Sequence, residues 1–390
     1  MTAHLLFGTI ICFSFYKRGK NKKLFLIAFL LLYIFSAIRY EYGNDYNSYL
    51  RIFNQIKEGS WSFYEKEFLF VLWNKCFSNF YIYIAVTSIF FLFVIYLLII
   101  KNIKDEYIWY ALFIFLINPY IFLISLSAIR QTLATVLFII ALYFSRRRLF
   151  FPYIGMILLA TLFHTSAFIL LPVYFIANEK KVTYYQVLTF SFVLLFFVFC
   201  PGAFNDIIFF VLDLLQLENY KFHFSHGAQN ILRATLLTSL YFIYIAYNLP
   251  KMRGKSVMYS KIYFIGLSLG LLAYQQSMTT RLQMYFDVFA VMSIPMIMRF
   301  NQDRYHANVE TIFEMIKGNQ TDIKNLYEVM GQQLEEGKND VLSRSVGFIN
   351  AFAFPFLLFV IYGLRYYSFF TNPLWTAFYE YKTIFSLLIN

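Results

Sequence analysis

The sequence predicts an all-α fold, a polytopic bundle of transmembrane helices. Of its 390 residues, 60% are hydrophobic and only 14% are charged, whereas about a quarter of the residues in soluble domains are charged. In addition, several windows of about 18 to 20 residues contain no charge, the length that a helix needs to cross about 30 Å of hydrocarbon. We therefore expect a multi-pass membrane protein with about 12 spans.

Twelve apolar segments alternate across the membrane when the N-terminus is placed outside the cytoplasm. This threading puts 22 of the 33 Lys and Arg residues on the inside, as the positive-inside rule requires. The basic cluster "KRGKNKK" follows the first apolar run, the reverse of a cleaved signal peptide, so we expect the first span to remain. The segments are 3–16, 24–38, 81–100, 107–124, 126–144, 149–163, 165–177, 184–200, 231–249, 262–278, 282–298 and 346–364.

Charge, cysteines and missing motifs narrow the function classes. The net charge of +12 is spread over short clusters between apolar runs, which favours topological charge over nucleic-acid binding. Cys12, Cys76 and Cys200 show no metal-like spacing. The sequence contains no Gly-rich phosphate loop, Asp-x-Asp pair or HExxH motif. We expect neither a metal nor a cofactor.

The segment 150–177 does not fit a single span. As one helix its 28 residues would extend about 42 Å, which is generous for one crossing and short for two. The distribution of basic residues favours a broken pair of short helices that meet at His164-Thr165-Ser166, below the outer surface. Irregular backbone at that depth is tolerated only where it lines protein or a wet cavity.

Three regions follow from the threading. Residues 1–298 form the transmembrane bundle, with extracytoplasmic loops at 39–80 and 201–230. Residues 299–345 form a polar cytoplasmic insertion, in which "VETIFEMI" and "IKNLYEVMGQQL" have helical spacing. A solvated insertion is its plainer interpretation, and a partner-binding module is the alternative. Residues 346–390 hold the last span and an extracytoplasmic C-terminal tail.

Unusual polar residues gather on the outer side in this threading: Arg39, Asp45, Arg130, His164 and Arg281. Arg130 follows Ser-Leu-Ser-Ala within an apolar run, where a buried charge costs several kcal/mol. Alone, Arg39 and Arg281 are also explained as interface anchors, His164 as a core histidine and Asp45 as a turn residue. Together they suit a lipid-linked phosphate or diphosphate, because guanidinium binds phosphate oxygens bidentately. His or Asp then serves as a general base toward a sugar hydroxyl.

Five stretches carry a family resemblance: "RYEYGNDYNSY", "SAIRQTLA", "LFHTSAFILLP", "TTRLQMYF" and "YEYKTIF". In this order they resemble the motifs of the EpsG family, Wzy-like polymerases of bacterial surface polysaccharides. The resemblance spans residues from about 30 to 385. "EYK" stands where family members often have Pro-Tyr-Lys, and the 299–345 insertion is atypical.

The resemblance implies an O-antigen or related polysaccharide polymerase, a glycosyltransferase of the bacterial inner membrane whose active site faces the periplasm. The donor and the acceptor would both be undecaprenyl-diphosphate-linked oligosaccharides, with membrane lipid and a chain-length regulator protein as further partners. The alternatives are a lipid-linked glycan flippase, an O-antigen ligase and a membrane O-acyltransferase. Transporters tend to hold charges at mid-membrane between repeats, and this sequence has no evident repeat.

By motif position, the resemblance also implies roles for individual residues. The expected catalytic residues are His164, Asp45, Arg130 and Arg281. The expected substrate-binding residues are Arg39, Gly43, Tyr49, Gln131, Ser166, Tyr285 and Lys382.

Overall fold

The described part of the chain is built almost entirely of helices. The computed structural model describes residues 7–8, 10, 22–60, 66–214, 232–273, 278–318 and 345–388. Within this part three helices are long and apolar enough to cross a membrane: Phe80–Asn102, Ile129–Arg146 and Ser345–Thr371. A fourth span is added if Tyr184–Phe199 and Gly202–Phe210, bent by 99°, are one crossing. The prediction of an all-α membrane protein is confirmed at this level, and the count of twelve spans is not.

The helices are short for a membrane protein because polar residues and prolines interrupt the apolar runs. Two-residue strands β1 and β2 accompany them. In chain order the elements are α1 (Lys22–Ala37), β1 (Arg39–Tyr40), α2 (Tyr46–Lys57), α3 (Phe68–Lys75), α4 (Phe80–Asn102), α5 (Ile108–Ile117), α6 (Phe122–Ser127), α7 (Ile129–Arg146), α8 (Phe150–Thr161), α9 (Val173–Ile176), α10 (Tyr184–Phe199), α11 (Pro201–Leu214), α12 (Leu232–Asn248), α13 (Lys255–Leu272), α14 (Met278–Asp287), α15 (Ala290–Gly318), α16 (Phe354–Thr371) and β2 (Lys382–Thr383).

Two predicted spans are each divided into two helices. The segment 107–124 breaks at Asn118, whose extended backbone precedes Pro119, because proline disfavours helical geometry in the residue before it. The segment 282–298 breaks between α14 and α15, at 288–289. Neither segment is therefore the single continuous helix that hydropathy alone suggests.

Two other regions are more helical than the sequence indicated. The first part of the predicted loop 201–230 is α11, which begins at Pro201, a residue favoured in the first turn of a helix. The polar insertion begins as a continuation of α15, which runs to Gly318. The second predicted helix of the insertion lies outside the described residues.

The predicted break near His164 is present. Helix α8 ends at Thr161, and a 3₁₀ helix, Thr165–Leu170, starts directly after His164. The backbone N–H of Phe70 donates to the carbonyl of Leu162 at 3.2 Å. This bond ties α3 to the break.

Close packing of α13 against α14 depends on two glycines spaced by four residues. A Cβ atom placed on Gly266 would lie 2.5 Å from Cβ of Phe286, and one on Gly270 would lie 2.7 Å from Oε1 of Gln283. Small residues with this spacing let transmembrane helices approach closely. The contact sets the position of α14, which carries Arg281 and Tyr285.

The C-terminal segment folds back onto the residues that follow α1. Strands β1 and β2 are antiparallel, with Arg39 opposite Thr383. The Gly43 N–H donates to the carbonyl of Ala377 at 3.2 Å. Gly43 has a φ of +115°, and a Cβ atom there would lie 2.9 Å from the Ser127 hydroxyl. Glycine is therefore needed at this turn both for its backbone angle and for its close contact.

Candidate active site

A buried glutamate, Glu67, connects the residues that were expected to be catalytic. Its Oε2 lies 2.6 Å from Nη1 of Arg130, and its Oε1 lies 3.0 Å from Nδ1 of His164. The backbone N–H of Thr165 also donates to Oε1, at 3.1 Å. Glu67 is only 6% exposed, so these donors replace the water that its carboxylate would otherwise bind.

The surroundings of Glu67 favour its charged form. Burial acts to raise the pKa of the Glu67 carboxyl, but the hydrogen bond from His164 and the charge of Arg130 outweigh it. The pKa consequently lies below its ordinary value. Glu67 is therefore a carboxylate at neutral pH, paired with a guanidinium on one oxygen and an imidazole on the other.

This pairing fixes the state of His164. A carboxylate can only accept a hydrogen bond, so Nδ1 of His164 carries the proton. In the neutral ring Nε2 then keeps its lone pair, and within the described part of the chain it makes no hydrogen bond. The side chain is 26% exposed. His164 therefore presents a proton acceptor at an accessible surface.

Arg130 enters the site from the first turn of α7. The N–H of Arg130 donates to the hydroxyl of Tyr49 at 3.3 Å, and its guanidinium carbon lies 5.7 Å from the centre of the Phe70 ring. The side chain remains 27% exposed. Tyr49 and Phe70 fix the direction of the side chain while leaving part of the cation accessible.

Asp45 directly precedes α2. Its side chain forms no capping hydrogen bond and is exposed. Partial burial raises the pKa of the Asp45 carboxyl, although the positive charges of Arg281 and Arg130 oppose the shift. A carboxylate and two arginines from α2, α7 and α14 thus share one electrostatic neighbourhood.

Helix α14 adds two of the expected residues, Arg281 and Tyr285. The hydroxyls of Tyr285 and Ser166 lie 2.9 Å apart, which links α14 to the segment after His164. Gln131 donates through its side-chain amide to the backbone carbonyl of Arg281. The Arg281 side chain is exposed, and no hydrogen bond or ion pair of it is found among the described residues.

Arg39 and Lys382 lie apart from Glu67 and belong to the fold-back of the C-terminal segment. Arg39 is only 2% exposed and donates to the Ser36 carbonyl at 2.8 Å, to the Leu126 carbonyl and to the Ser88 hydroxyl. Lys382 forms an ion pair of 3.3 Å with Glu41 at the surface. A substrate role for Arg39 and Lys382 stays a prediction.

Glu67 is the residue that sequence reasoning missed. It lies in "SWSFYEKEFLF", a stretch rich in aromatic residues. Its position directly before an apolar helix was the available signal, because Glu67 is the N-cap residue of α3. No group of three or more His, Cys, Asp or Glu side chains that could hold a metal occurs among the described residues.

The comparison with known families covers Glu67 and the residues around it. The profile of the EpsG family matches residues 22–318, which is more than half of the chain and includes α1 to α15. The chain belongs to the EpsG family. This family comprises Wzy-like polysaccharide polymerases. No curated protein and no solved structure matches the chain.

Membership supports the sequence prediction of a membrane protein of polysaccharide biosynthesis with polymerase-like glycosyltransferase activity. The matched residues of this EpsG-family protein contain Glu67, Arg130, His164 and Arg281. The arrangement combines an imidazole and two partly accessible cations. Such a set can accept a proton and bind an anionic group at neighbouring positions.

Proposed function

We propose that this EpsG-family protein joins undecaprenyl-diphosphate-linked oligosaccharide repeat units at the outer face of the bacterial inner membrane. The observation that carries the proposal is the bonding of one buried carboxylate, Glu67, to both His164 and Arg130. The shared carboxylate couples His164, a candidate base, to Arg130, a candidate phosphate-binding residue. Both groups are about a quarter exposed, so a substrate can reach them together.

His164 is the general base in this proposal. Its Nε2 takes the proton from a hydroxyl of the acceptor sugar as that oxygen attacks the anomeric carbon of the donor. The bond between this carbon and the diphosphate oxygen breaks, and the diphosphate leaves with the electron pair. Glu67 keeps Nδ1 protonated and stabilises the imidazolium that forms.

Arg130 and Arg281 bind the departing diphosphate. Guanidinium groups match phosphate oxygens in geometry and keep their charge, and they stabilise a leaving group whose charge grows in the transition state. We propose a metal-independent reaction because these cations neutralise that charge. Asp45, whose carboxyl is influenced by the charges of both arginines, is the second candidate for the base.

The remaining expected residues position the four expected catalytic residues. Tyr49 orients Arg130 through its backbone N–H, and Gln131 holds the carbonyl of Arg281. Ser166 and Tyr285 join the His164 break to α14. Gly43 lets the C-terminal segment, which contains Lys382, close against the turn between Arg39 and Asp45.

The test is elongation of purified lipid-linked repeat units by the protein in detergent. We expect the wild type to produce a ladder of products, and His164→Ala to lower the rate roughly 10²-fold or more, the typical contribution of a general base. His306→Ala is the matched control, because His306 is exposed on α15 and packs against the rings of Tyr305 and Phe352.

The alternatives give different products. A flippase extends nothing in detergent, where no second compartment exists. An O-antigen ligase transfers the repeat unit only when a lipopolysaccharide core is added. A ladder that His164→Ala leaves unchanged would contradict the assigned base, and Asp45→Asn would then be the variant that stops extension.

A further inference from the structure

Arg365 is a membrane-embedded arginine without a hydrogen-bonded anion. It lies in α16, within the candidate span Ser345–Thr371, of whose most apolar window only 28% is buried inside the protein. Its guanidinium carbon lies 5.6 Å from the ring centre of Tyr120 and 5.8 Å from that of Tyr241. Among the described residues the guanidinium takes part in no hydrogen bond or ion pair.

Asp287, a carboxylate whose charge acts on Arg365, has another partner. The negative charge of Asp287 stabilises the Arg365 cation, but the two side chains form no ion pair. Instead, Oδ1 of Asp287 accepts a hydrogen bond from the side-chain amide of Gln283 at 3.0 Å. The hydroxyl of Tyr241 is also buried, and it has no hydrogen-bond partner within 3.5 Å among the described residues. Within the described part of the chain the guanidinium thus has no hydrogen-bonded acceptor, in a region where an unpaired charge is costly.

The ligand that fits this position comes from the membrane. Arg365 is partly exposed on a candidate span that is largely unburied inside the protein, so an anion reaches it most directly as the headgroup of a lipid. The planar fork of an arginine matches a phosphate. The two tyrosine faces stabilise the cation without using its N–H donors.

A small cavity lies between Tyr120 and the residues that position Arg281. Tyr120, whose ring faces Arg365, lines this cavity together with Ser125, Gln131 and Met284. Gln131 in turn holds the backbone of Arg281. Tyr120 therefore contacts Arg365 on one side and lines, on the other, a cavity shared with the residue that holds Arg281.

The proposed reaction needs two anion sites. The diphosphate of the donor leaves, whereas the acceptor keeps its own lipid diphosphate throughout the transfer. Two diphosphates repel each other, so they need separate cations, with only the sugars meeting at His164. Arg365 lies beyond the residues that the family profile matches.

We propose that Arg365, flanked by Tyr120 and Tyr241, binds the phosphate headgroup of the lipid that carries the acceptor sugar. The inference rests on the proposed function for the identity of this lipid. The chemistry itself, an arginine facing a lipid phosphate, is shared with ordinary phospholipids. The experiment therefore compares both sources.

The experiment measures lipid binding to the full chain by native mass spectrometry and by titration in detergent. The probes are undecaprenyl diphosphate, undecaprenol and phosphatidylglycerol. We expect two diphosphate molecules per wild-type chain and one for Arg365→Gln, whose affinity at the lost site falls about tenfold or more. Arg51→Gln, which removes an exposed arginine on α2, is the matched control and keeps both molecules.

Arg365→Lys keeps the charge and guards against a folding defect, and we expect it to bind the second molecule several-fold more weakly than the wild type. In the elongation assay Arg365→Gln should raise KM for the acceptor and leave kcat nearly unchanged. If Arg365→Gln bound as many undecaprenyl diphosphate molecules as the wild type, the proposed site would be wrong. If phosphatidylglycerol competed for this site as well as undecaprenyl diphosphate does, its assignment to the acceptor lipid would be wrong. Binding that depends on Arg365 without any elongation would instead contradict the proposed function alone.

Discussion

At the scale of single residues, Glu67 defines the candidate site because it binds groups from separate parts of the chain. Arg130 starts α7, and His164 and Thr165 follow α8, yet all three reach one carboxylate. Motif spacing predicted Arg130 and His164 individually. It could not predict that both pair with Glu67, because a glutamate among interface aromatics resembles an ordinary surface charge in sequence.

Glu67→Gln tests this connection. The amide keeps the size of the side chain but loses the charge that holds Nδ1 of His164 protonated, so we expect elongation to fall roughly 10²-fold or more. Membrane abundance should stay near that of the wild type. Glu58→Gln, at an exposed position after α2, is the control and should retain the wild-type rate.

The same variant should change the pH dependence of stability. The pKa of Glu67 lies below its ordinary value of 4.5, so its contribution is fully present above that value and is lost as pH falls through the lower folded-state pKa. Melting temperatures of the detergent-solubilised protein between pH 3 and 7 report this loss. A wild type and a Glu67→Gln variant with parallel pH curves would show that the carboxylate contributes nothing.

Arg130→Lys separates charge from geometry. Lysine keeps a positive charge beside Glu67 but lacks the planar fork that engages a carboxylate and a phosphate together. Loss of one charge-assisted contact removes about 1.5 to 3 kcal/mol, which is a roughly 10- to 150-fold loss of rate. Arg281→Lys should behave similarly, whereas Arg51→Lys is the control. Wild-type rates for both variants would identify the two arginines as interface anchors.

At the scale of elements, hydropathy predicts where apolar segments lie but not where they break. It placed an interruption at His164 because the segment 150–177 has an unsuitable length for either one or two spans. It missed the interruptions after Asn118 and between Asp287 and Ala290, because a polar residue or a proline changes mean hydropathy very little. The local conformational preference of the residue before proline was the stronger signal.

The close packing of α13 against α14 can be tested by substituting Gly266. In Gly266→Ala the new methyl group meets Cβ of Phe286 at 2.5 Å, so α13 and α14 must separate. Overpacking of this kind costs about 1 to 3 kcal/mol, and α14 would shift together with Arg281 and Tyr285. We expect a lower melting temperature and reduced elongation.

Gly155→Ala is the matched control, because nothing lies within 4 Å of a Cβ atom at that helical position. Alanine has the higher helix propensity, so the control should melt at the wild-type temperature or above. Equal melting temperatures for the two variants would contradict close packing of α13 on α14.

At the scale of the whole molecule, the sequence identified the class and the family, and the profile match over residues 22–318 confirms the family. Composition decides the class because 60% hydrophobic residues cannot all be buried in a soluble protein of this size. The number of spans does not follow in the same way. Short helices such as α5 and α6 are apolar, yet they are too short to cross the bilayer singly.

Orientation is the remaining prediction, and the basic residues decide it. With the N-terminus outside, 22 of 33 Lys and Arg residues face the cytoplasm, and His164 and the 299–345 insertion lie on opposite sides. A reporter fused near Gln320 should fluoresce as green fluorescent protein and be inactive as alkaline phosphatase. A cysteine introduced in place of Ser166 should react with an impermeant thiol reagent added to spheroplasts. The opposite result for Gln320 would imply an even number of crossings between the His164 break and the insertion. Arg281 would then face the compartment away from Asp45, in conflict with the effect of its charge on the pKa of the Asp45 carboxyl.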